Sequence, residues 1–338
     1  ADPRVRLRAR EIVIETGLEP YDIQALIPLI EAAGGAVSDW RGGACHGGGD
    51  VLGRDGDFIT APEISQIFGE LLGLWCAVVW QQMGSPATWH LVEIGPGRGT
   101  MMRDVLRALR IVPSCRVAVR VHLVEPSAAL RAEQARTLAD WQGPIDWPAS
   151  VSDVPAAPTI VLGNEYVDAL AIEQAEWRDG RWHRRCVALD AADQLQFATG
   201  GEIDVAALDA DVRSTLTRLA ADAREGDVFE WRPLSVDLRS LSQRVQDGLA
   251  LLLVDYGHAR SALGDTLQAV RRHRYEPPLQ APGAADLTSQ VDFGMLRAHL
   301  LRGGLQVDGT VAQGEFLSRL GIAERASRLM NANPADAN

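Results

Sequence analysis

The stretch that most restricts the fold runs Leu91-Val92-Glu93-Ile94-Gly95-Pro96-Gly97-Arg98-Gly99-Thr100. Leu91–Ile94 reads as a short buried strand, and Met102, Val105, Leu106 and Leu109 recur at the spacing of one helical face. A strand, a Gly-x-Gly-x-Gly turn and a helix therefore follow one another directly. Glycines let the backbone turn sharply and approach a ligand with no Cβ in the way. The helix start behind them offers free N–H groups and a partial positive charge. On its own the pattern also fits a tight strand–helix turn with no ligand.

The flanking segments repeat the alternation. Ile67, Leu71, Leu74, Trp75 and Val78 give residues 66–83 an apolar helical face. Val117–Val124 reads as a β-branched strand ending at Glu125, and 130–138 as a helix. Two more apolar strands end in polar groups: Thr159–Leu162 at Gly163-Asn164-Glu165, and Leu251–Val254 at Asp255-Tyr256-Gly257. Such alternation predicts a mostly parallel sheet covered on both faces. Asp179-Gly180, between alternating residues of 174–187, predicts an antiparallel ribbon, with a helix over 203–225. The expected class is α/β: a Rossmann-like sheet with an inserted antiparallel and helical subdomain and an N-terminal helical extension. The expected divisions are 1–52, 53–172, 173–248, 249–330 and a frayed tail over 331–338. Seven glycines within 33–50 predict an irregular stretch there.

Composition narrows the function classes. The net charge is −12 and no long basic run is present, which argues against a general nucleic-acid or anionic-membrane binder. A local basic patch remains open at Arg271-Arg272-His273-Arg274. None of Cys45, Cys76, Cys115 and Cys186 forms a C-x-x-C pair, so no metal site is expected, Cys45-His46 included. Scattered cysteines, no apolar run of membrane-spanning length and no signal core lead to the expectation of a cytoplasmic protein.

In dinucleotide enzymes a helix start of this kind faces a pyrophosphate. The carboxylate of S-adenosylmethionine can take the same place, with Glu93 holding the ligand's amino group and Gly95, Gly97 and Gly99 admitting its backbone-like part. Glu125 ends the next strand, where a carboxylate accepts two ribose hydroxyls; a solvated loop acid is the alternative. Asp153 and Val154 stand where a loop can contact adenine, or are simply loop surface. Asn164, Glu165 and Asp168 would lie near the transferred group, since ligands of open α/β sheets bind beyond the carboxyl ends of the strands. The plainer alternative makes Asp168 a helix cap and Glu165 a surface acid.

Six ordered stretches carry a resemblance. They are 56–65 (Gly-Asp-Phe-Ile-Thr-Ala-Pro-Glu-Ile-Ser), 92–100, Val124-Glu125-Pro126-Ser127, 164–170 (Asn-Glu-Tyr-Val-Asp-Ala-Leu), Asp255-Tyr256-Gly257, and Asp286-Leu287-Thr288 with Val291-Asp292-Phe293. In this order, over residues 53–330, the chain resembles the MidA family of methyltransferases, whose mitochondrial members assist assembly of respiratory complex I. The resemblance implies a methyltransferase core, S-adenosylmethionine as cofactor with Thr60 and Asn164 among its contacts, and methyl transfer to an arginine of a protein partner such as a complex I subunit. Glu63, Glu165 and Asp168 then become candidates to hold the guanidinium, whose charge persists in proteins. A cofactor-binding assembly factor with little catalysis is the second reading. A nicotinamide oxidoreductase is the third, opposed by Asn164-Glu165. The sequence departs from the family at 33–50, where a His-Pro-x-x-Gly-Tyr-Tyr segment is usual, at Gln290 for His and Ala171 for Pro, and in its early C-terminus.

Overall fold

The computed structural model describes residues 10–15, 62, 65–233, 235–271, 274–280 and 285–332. Thr60, Glu63, the 33–50 stretch with Cys45 and His46, and part of the 271–274 basic group lie outside the described residues.

In chain order the first elements are β1 (Arg10–Glu15), α1 (Gln66–Gln82), β2 (Trp89–Ile94), α2 (Thr100–Ala108), α3 (Pro113–Ala118), β3 (Val119–Val124), α4 (Ala128–Thr137), β4 (Ile145–Asp146) and β5 (Thr159–Asn164). An antiparallel region follows: β6 (Glu173–Arg178), β7 (Arg181–Leu189), β8 (Leu195–Glu202), α5 (Ala210–Leu219) and β9 (Val228–Trp231). The chain then returns through α6 (Val236–Ser240), β10 (Leu249–Asp255), β11 (Gly257–His258), β12 (Gln268–Arg271), β13 (Arg274–Glu276), β14 (Asp286–Thr288), β15 (Val291–Asp292), α7 (Phe293–Arg302), β16 (Gln306–Ala312), α8 (Gln313–Arg319) and α9 (Ile322–Ala332).

Seven strands form one sheet in the order β16-β1-β10-β5-β2-β3-β4, and every neighbouring pair is parallel. The four central strands are buried along almost their whole length, as expected of a parallel sheet covered on both faces. Leu91, Leu123, Ile160 and Leu252 face α1 and α2, while Val92, Val124, Val161 and Leu251 face α6 and α7. The inserted strands form a separate antiparallel sheet, β8-β7-β6-β9, with its own core around Trp182, Leu216, Phe229 and Trp231. Asp179 and Gly180 turn the expected hairpin with φ of 50° and 75°.

Four local expectations are corrected. Residues 113–118 are helical and Val117 is exposed, so the strand begins at Val119; Pro113 at the first helical position presets φ for a turn of helix. The helix expected over 203–225 is confined to Ala210–Leu219, preceded by a single 3-10 turn capped by Asp204. Residues 10–15, assigned above to a helical extension, form a strand paired on both sides between β10 and β16. That strand gives the sheet its seventh member. Val78, placed on the buried face of α1, is 50% exposed; Phe68, Leu72 and Cys76 face the core instead.

Candidate active site

The parallel register brings four strand ends together. Ile94 lies beside Val124 on one side and Gly163 on the other, and Val254 lies beside Asn164. After β2 the chain builds outward through β3 and β4, then reverses to place β5 and β10 on the opposite side. The crevice at such a reversal is where open α/β sheets bind ligands. It lies between the glycine turn and the Asn164-Glu165 tip.

The three glycines of the turn have φ of 65°, 49° and 80°, a region that L side chains rarely enter. A Cβ at Gly95 would come within 2.9 Å of the Tyr166 ring, whereas a Cβ at Gly97 would meet no atom within 4 Å. Among the described residues nothing fills the space over Gly97, as a ligand-facing backbone requires. The turn closes through Gly99 N–H donating to the Pro96 carbonyl at 2.8 Å, and Gly99 caps α2. Gln134, fully buried on α4, donates to the Gly97 carbonyl at 2.7 Å and accepts from the Trp147 indole at 2.9 Å. The backbone N–H groups at the start of α2 remain for an anion.

Glu93 is 3% exposed, and among the described residues its Oε2 has no hydrogen-bond partner. Burial alone pushes its carboxyl up to about 8. A buried acid with a partnerless oxygen costs free energy unless a donor completes it. A ligand ammonium beside the glycine turn is such a donor. Glu125 is buried at the end of β3, where Oε1 accepts from the Ser127 N–H at 2.8 Å. It is thus no solvated loop acid. Asp153 is exposed, and its carboxylate accepts from the Ser150 N–H at 3.0 Å in a capping box. Val154 is buried, and the Arg244 guanidinium pins its carbonyl together with those of Val151 and Pro155. The turn beyond β4 is therefore rigid, with Asp153 at its surface.

Beyond β5 the acids crowd together. Glu165 takes φ of 48°, a left-handed conformation rare for a non-glycine residue. Its N–H donates to the Val254 carbonyl at 2.8 Å, and its carboxylate meets the Asn164 amide at 3.5 Å and the Tyr256 hydroxyl. Burial first, then the charges of Asp168 and Asp255, push Glu165 up to about 8. Asp255 accepts three backbone N–H groups, from Val167, Asp168 and Tyr256. Burial and the Asp168 charge still raise it to about 8. One Asp168 oxygen accepts from the Thr288 hydroxyl at 2.7 Å. The other, like the Asn164 carbonyl oxygen, is buried with no partner. Neither plainer reading holds: Asp168 caps no helix here, and Glu165 is not at the surface.

Several residues of this region carried no role in the sequence reading. Tyr166 packs on Gly95 and reaches Ser235 at 3.2 Å and Asp237 at 3.3 Å. Asp237 in turn accepts from the Ser150 hydroxyl and the Val151 N–H, both at 2.8 Å. Asp255 and Tyr256 belong to a stretch already quoted, and their place at a strand end beside Asn164 was the available signal. Thr288, Gln134 and Arg232 offered none. Among the described residues no group of three or more His, Cys, Asp or Glu side chains could hold a metal ion, and no helix is long and apolar enough to cross a membrane.

The comparisons agree with this geometry. Residues 71–311 match the family described as "Putative S-adenosyl-L-methionine-dependent methyltransferase". The chain is 36% identical to the zebrafish (Danio rerio) mitochondrial protein arginine methyltransferase NDUFAF7 over 310 residues, covering 84% of this chain and 71% of that one. It is 34% identical to the human protein of the same name, covering 83% and 67%. A Burkholderia thailandensis protein crystallised bound to S-adenosyl-homocysteine superposes with a TM-score of 0.69 at 27% identity, covering 83% of this chain and 71% of that one. A strand end with a partnerless buried acid, a glycine cradle open above Gly97 and these matches lead to one conclusion: the chain belongs to the family of S-adenosyl-L-methionine-dependent methyltransferases.

Proposed function

We propose that this enzyme methylates an arginine of a protein partner, and that Glu165 and Asp168 hold the acceptor guanidinium. The carrying observation is a cluster of acids in which, among the described residues, acceptor oxygens of Asp168 and Asn164 are left buried and unused. Glu165, Asp168 and Asp255 lie together at the cofactor end of the sheet, and the nearby Arg232 guanidinium spends its hydrogen bonds on carbonyls and a hydroxyl instead. Among the described residues no ion pair reaches these acids, although the Arg232 charge acts on Asp255 and Asp168 from nearby; such a cluster favours a ligand that brings a further positive charge and several N–H donors. An arginine side chain brings both.

Bound S-adenosylmethionine supplies an electrophilic methyl group on a sulfonium. The chain's part is to hold and orient. Glu93 takes the ligand's ammonium, the start of α2 its carboxylate, and Glu125 its ribose hydroxyls. The partnerless oxygens of Asn164 and Asp168, with the Glu165 carboxylate, accept guanidinium N–H groups and point one nitrogen at the methyl. Carboxylates on one side of a guanidinium localise its charge there and leave the opposite nitrogen more nucleophilic. The relatives' names agree with this acceptor class. Net acidity of the whole chain suits a basic segment of the partner. A respiratory complex I subunit is the partner that the family resemblance implies.

Capture of the partner on the immobilised enzyme, incubation with S-adenosylmethionine and mass analysis of its arginines test the reading. The expected result is methylarginine on a complex I subunit, absent with Glu165→Gln. Cofactor binding with no methylarginine on any captured partner would favour an assembly factor without catalysis.

A further inference from the structure

We infer that Arg232, at the exit of the inserted sheet, is a positioning residue that fixes the acceptor-site carboxylate of Asp168 through Thr288. This rests on the assignment of Asp168 to the guanidinium. Arg232 directly follows β9 and is largely buried. One terminal nitrogen donates to the Gln290 carbonyl at 2.8 Å. The other donates to the Asp168 carbonyl at 3.2 Å and to both the carbonyl and hydroxyl of Ser289. A single side chain thus ties the 288–290 loop to the Asp168 backbone.

The inserted sheet grips the same loop a second time. The Gln290 N–H donates to the Thr266 hydroxyl at 2.9 Å, and Thr266 donates to Glu230, two residues before Arg232 on β9. Gln174 of β6 braces Glu230 at 2.6 Å. The loop so held carries Thr288, whose hydroxyl is the one hydrogen-bond donor found on the Asp168 carboxylate among the described residues, at 2.7 Å. That bond leaves the other oxygen buried and partnerless. A freely rotating carboxylate would spread its acceptor positions over many directions; one anchored oxygen aims the second. The insertion thereby acts on the acceptor end of the site without touching the acceptor. Arg232 suits this work because a rigid planar fork holds donors on two separate terminal nitrogens and can span carbonyls that the single nitrogen of an ammonium cannot reach together.

The test uses the full chain loaded with S-adenosyl-homocysteine and titrated with ethylguanidinium chloride as the acceptor probe. Thr288→Val removes the hydroxyl at nearly constant shape, Thr288→Ser restores it, and Arg232→Lys keeps the charge but not the fork. Ethylguanidinium affinity should fall at least fivefold in Thr288→Val and in Arg232→Lys and recover in Thr288→Ser. S-adenosyl-homocysteine affinity should stay within about threefold throughout. Because the two residues act in series, the double variant should be little worse than the weaker single one. Wild-type probe binding in Thr288→Val, or losses that multiply in the double variant, would overturn the positioning role. Asp168→Asn separates the two levels. Probe binding lost there but intact in Thr288→Val and Arg232→Lys sinks the positioning role alone, and probe binding intact in Asp168→Asn sinks the acceptor assignment beneath it.

Discussion

Among the described residues a Cβ at position 97 would meet no protein atom within 4 Å, whereas one at position 95 would meet Tyr166 at 2.9 Å. Gly97→Val should therefore cost the apo protein only backbone strain, about 1–2 kcal/mol for a left-handed non-glycine residue. Its branches would fill cofactor space, so S-adenosyl-homocysteine affinity should drop by at least about two decades in calorimetry while the chain stays folded. Glu165 allows a second test. Its carboxyl, raised to about 8, is neutral at pH 7 in the acceptor-free enzyme, and only the anion can pair with a guanidinium. Since kcat/KM reports the free enzyme, it should climb with pH up to about 8 and then level. Glu165→Gln should remove that limb and most of the turnover, leaving cofactor affinity within a few fold. A variant that keeps wild-type turnover on a confirmed acceptor removes Glu165 from the reaction. Glu93, Glu125 and the glycines were legible in the sequence because each stands at or just beyond the end of its own strand. Arg232, Asp237 and Thr288 were not, since their partners lie 57 or more residues away.

The element whose N-terminus is proposed to hold the cofactor carboxylate is α2, and its place is set by how closely α1 approaches. A Cβ at Gly73 would meet the Val105 carbonyl at 2.6 Å and the Ala108 Cβ at 2.7 Å, and one at Gly69 would meet the Asp104 Cβ at 2.7 Å. Two glycines four residues apart thus form a flat strip on which α2 lies. Buried Glu70 adds ion pairs to Arg107 at 3.5 Å and Arg325 at 2.7 Å, tying α9 to the same pair. Gly73→Val should force the helices apart at a cost of about 1–3 kcal/mol or more, and lower cofactor affinity by displacing the α2 N–H groups. Gly314→Ala, inside α8 with open space around it, is the control and should be neutral or stabilising by up to about 1 kcal/mol. Equal melting temperatures for the two variants would refute the close-packing role. Helical and strand periods revealed α1, β2, α2, β5 and β10 because each has a continuous apolar pattern. They misplaced the start of β3 because Val117 continues a β-branched run, yet Pro113 begins a helix that reaches Ala118. Only tertiary contact decides between the two.

At the scale of the whole molecule, strand order was beyond the sequence: nothing in residues 10–15 announces a place between β10 and β16, 234 or more residues away. What the assembled sheet does create is a set of buried titrating groups with opposing pH signs. On adjacent strands the His90 and His122 rings meet at 2.6 Å; burial, then the His90 charge, lowers His122 to about 4, and burial with the charges of Arg244 and Arg120 lowers His90. Between about 4 and 6.5 the unfolded chain binds protons that folded His122 refuses, so this contribution is full above 6.5 and is lost as pH falls. Glu93, Glu165 and Asp255 have the reverse sign. Each is raised to about 8, so from the ordinary carboxyl range up to 8 the folded chain holds protons the unfolded chain has shed, and stability falls as pH rises. The two sets oppose each other below 6.5; above it the acids act alone. The apo protein should therefore lose stability between pH 6.5 and 8, by about 2 kcal/mol for each fully expressed group, measured by urea unfolding. Glu93→Gln should flatten the slope by one group's share. Saturating S-adenosyl-homocysteine should flatten it too, because an ammonium paired with Glu93 keeps that carboxylate ionised in the folded state. Its affinity should then tighten with pH up to about 8. An apo slope of zero across this window would mean that Glu93 and Glu165 are already ionised in the folded chain, and the partnerless oxygen of Glu93 would have to find its donor within the protein itself.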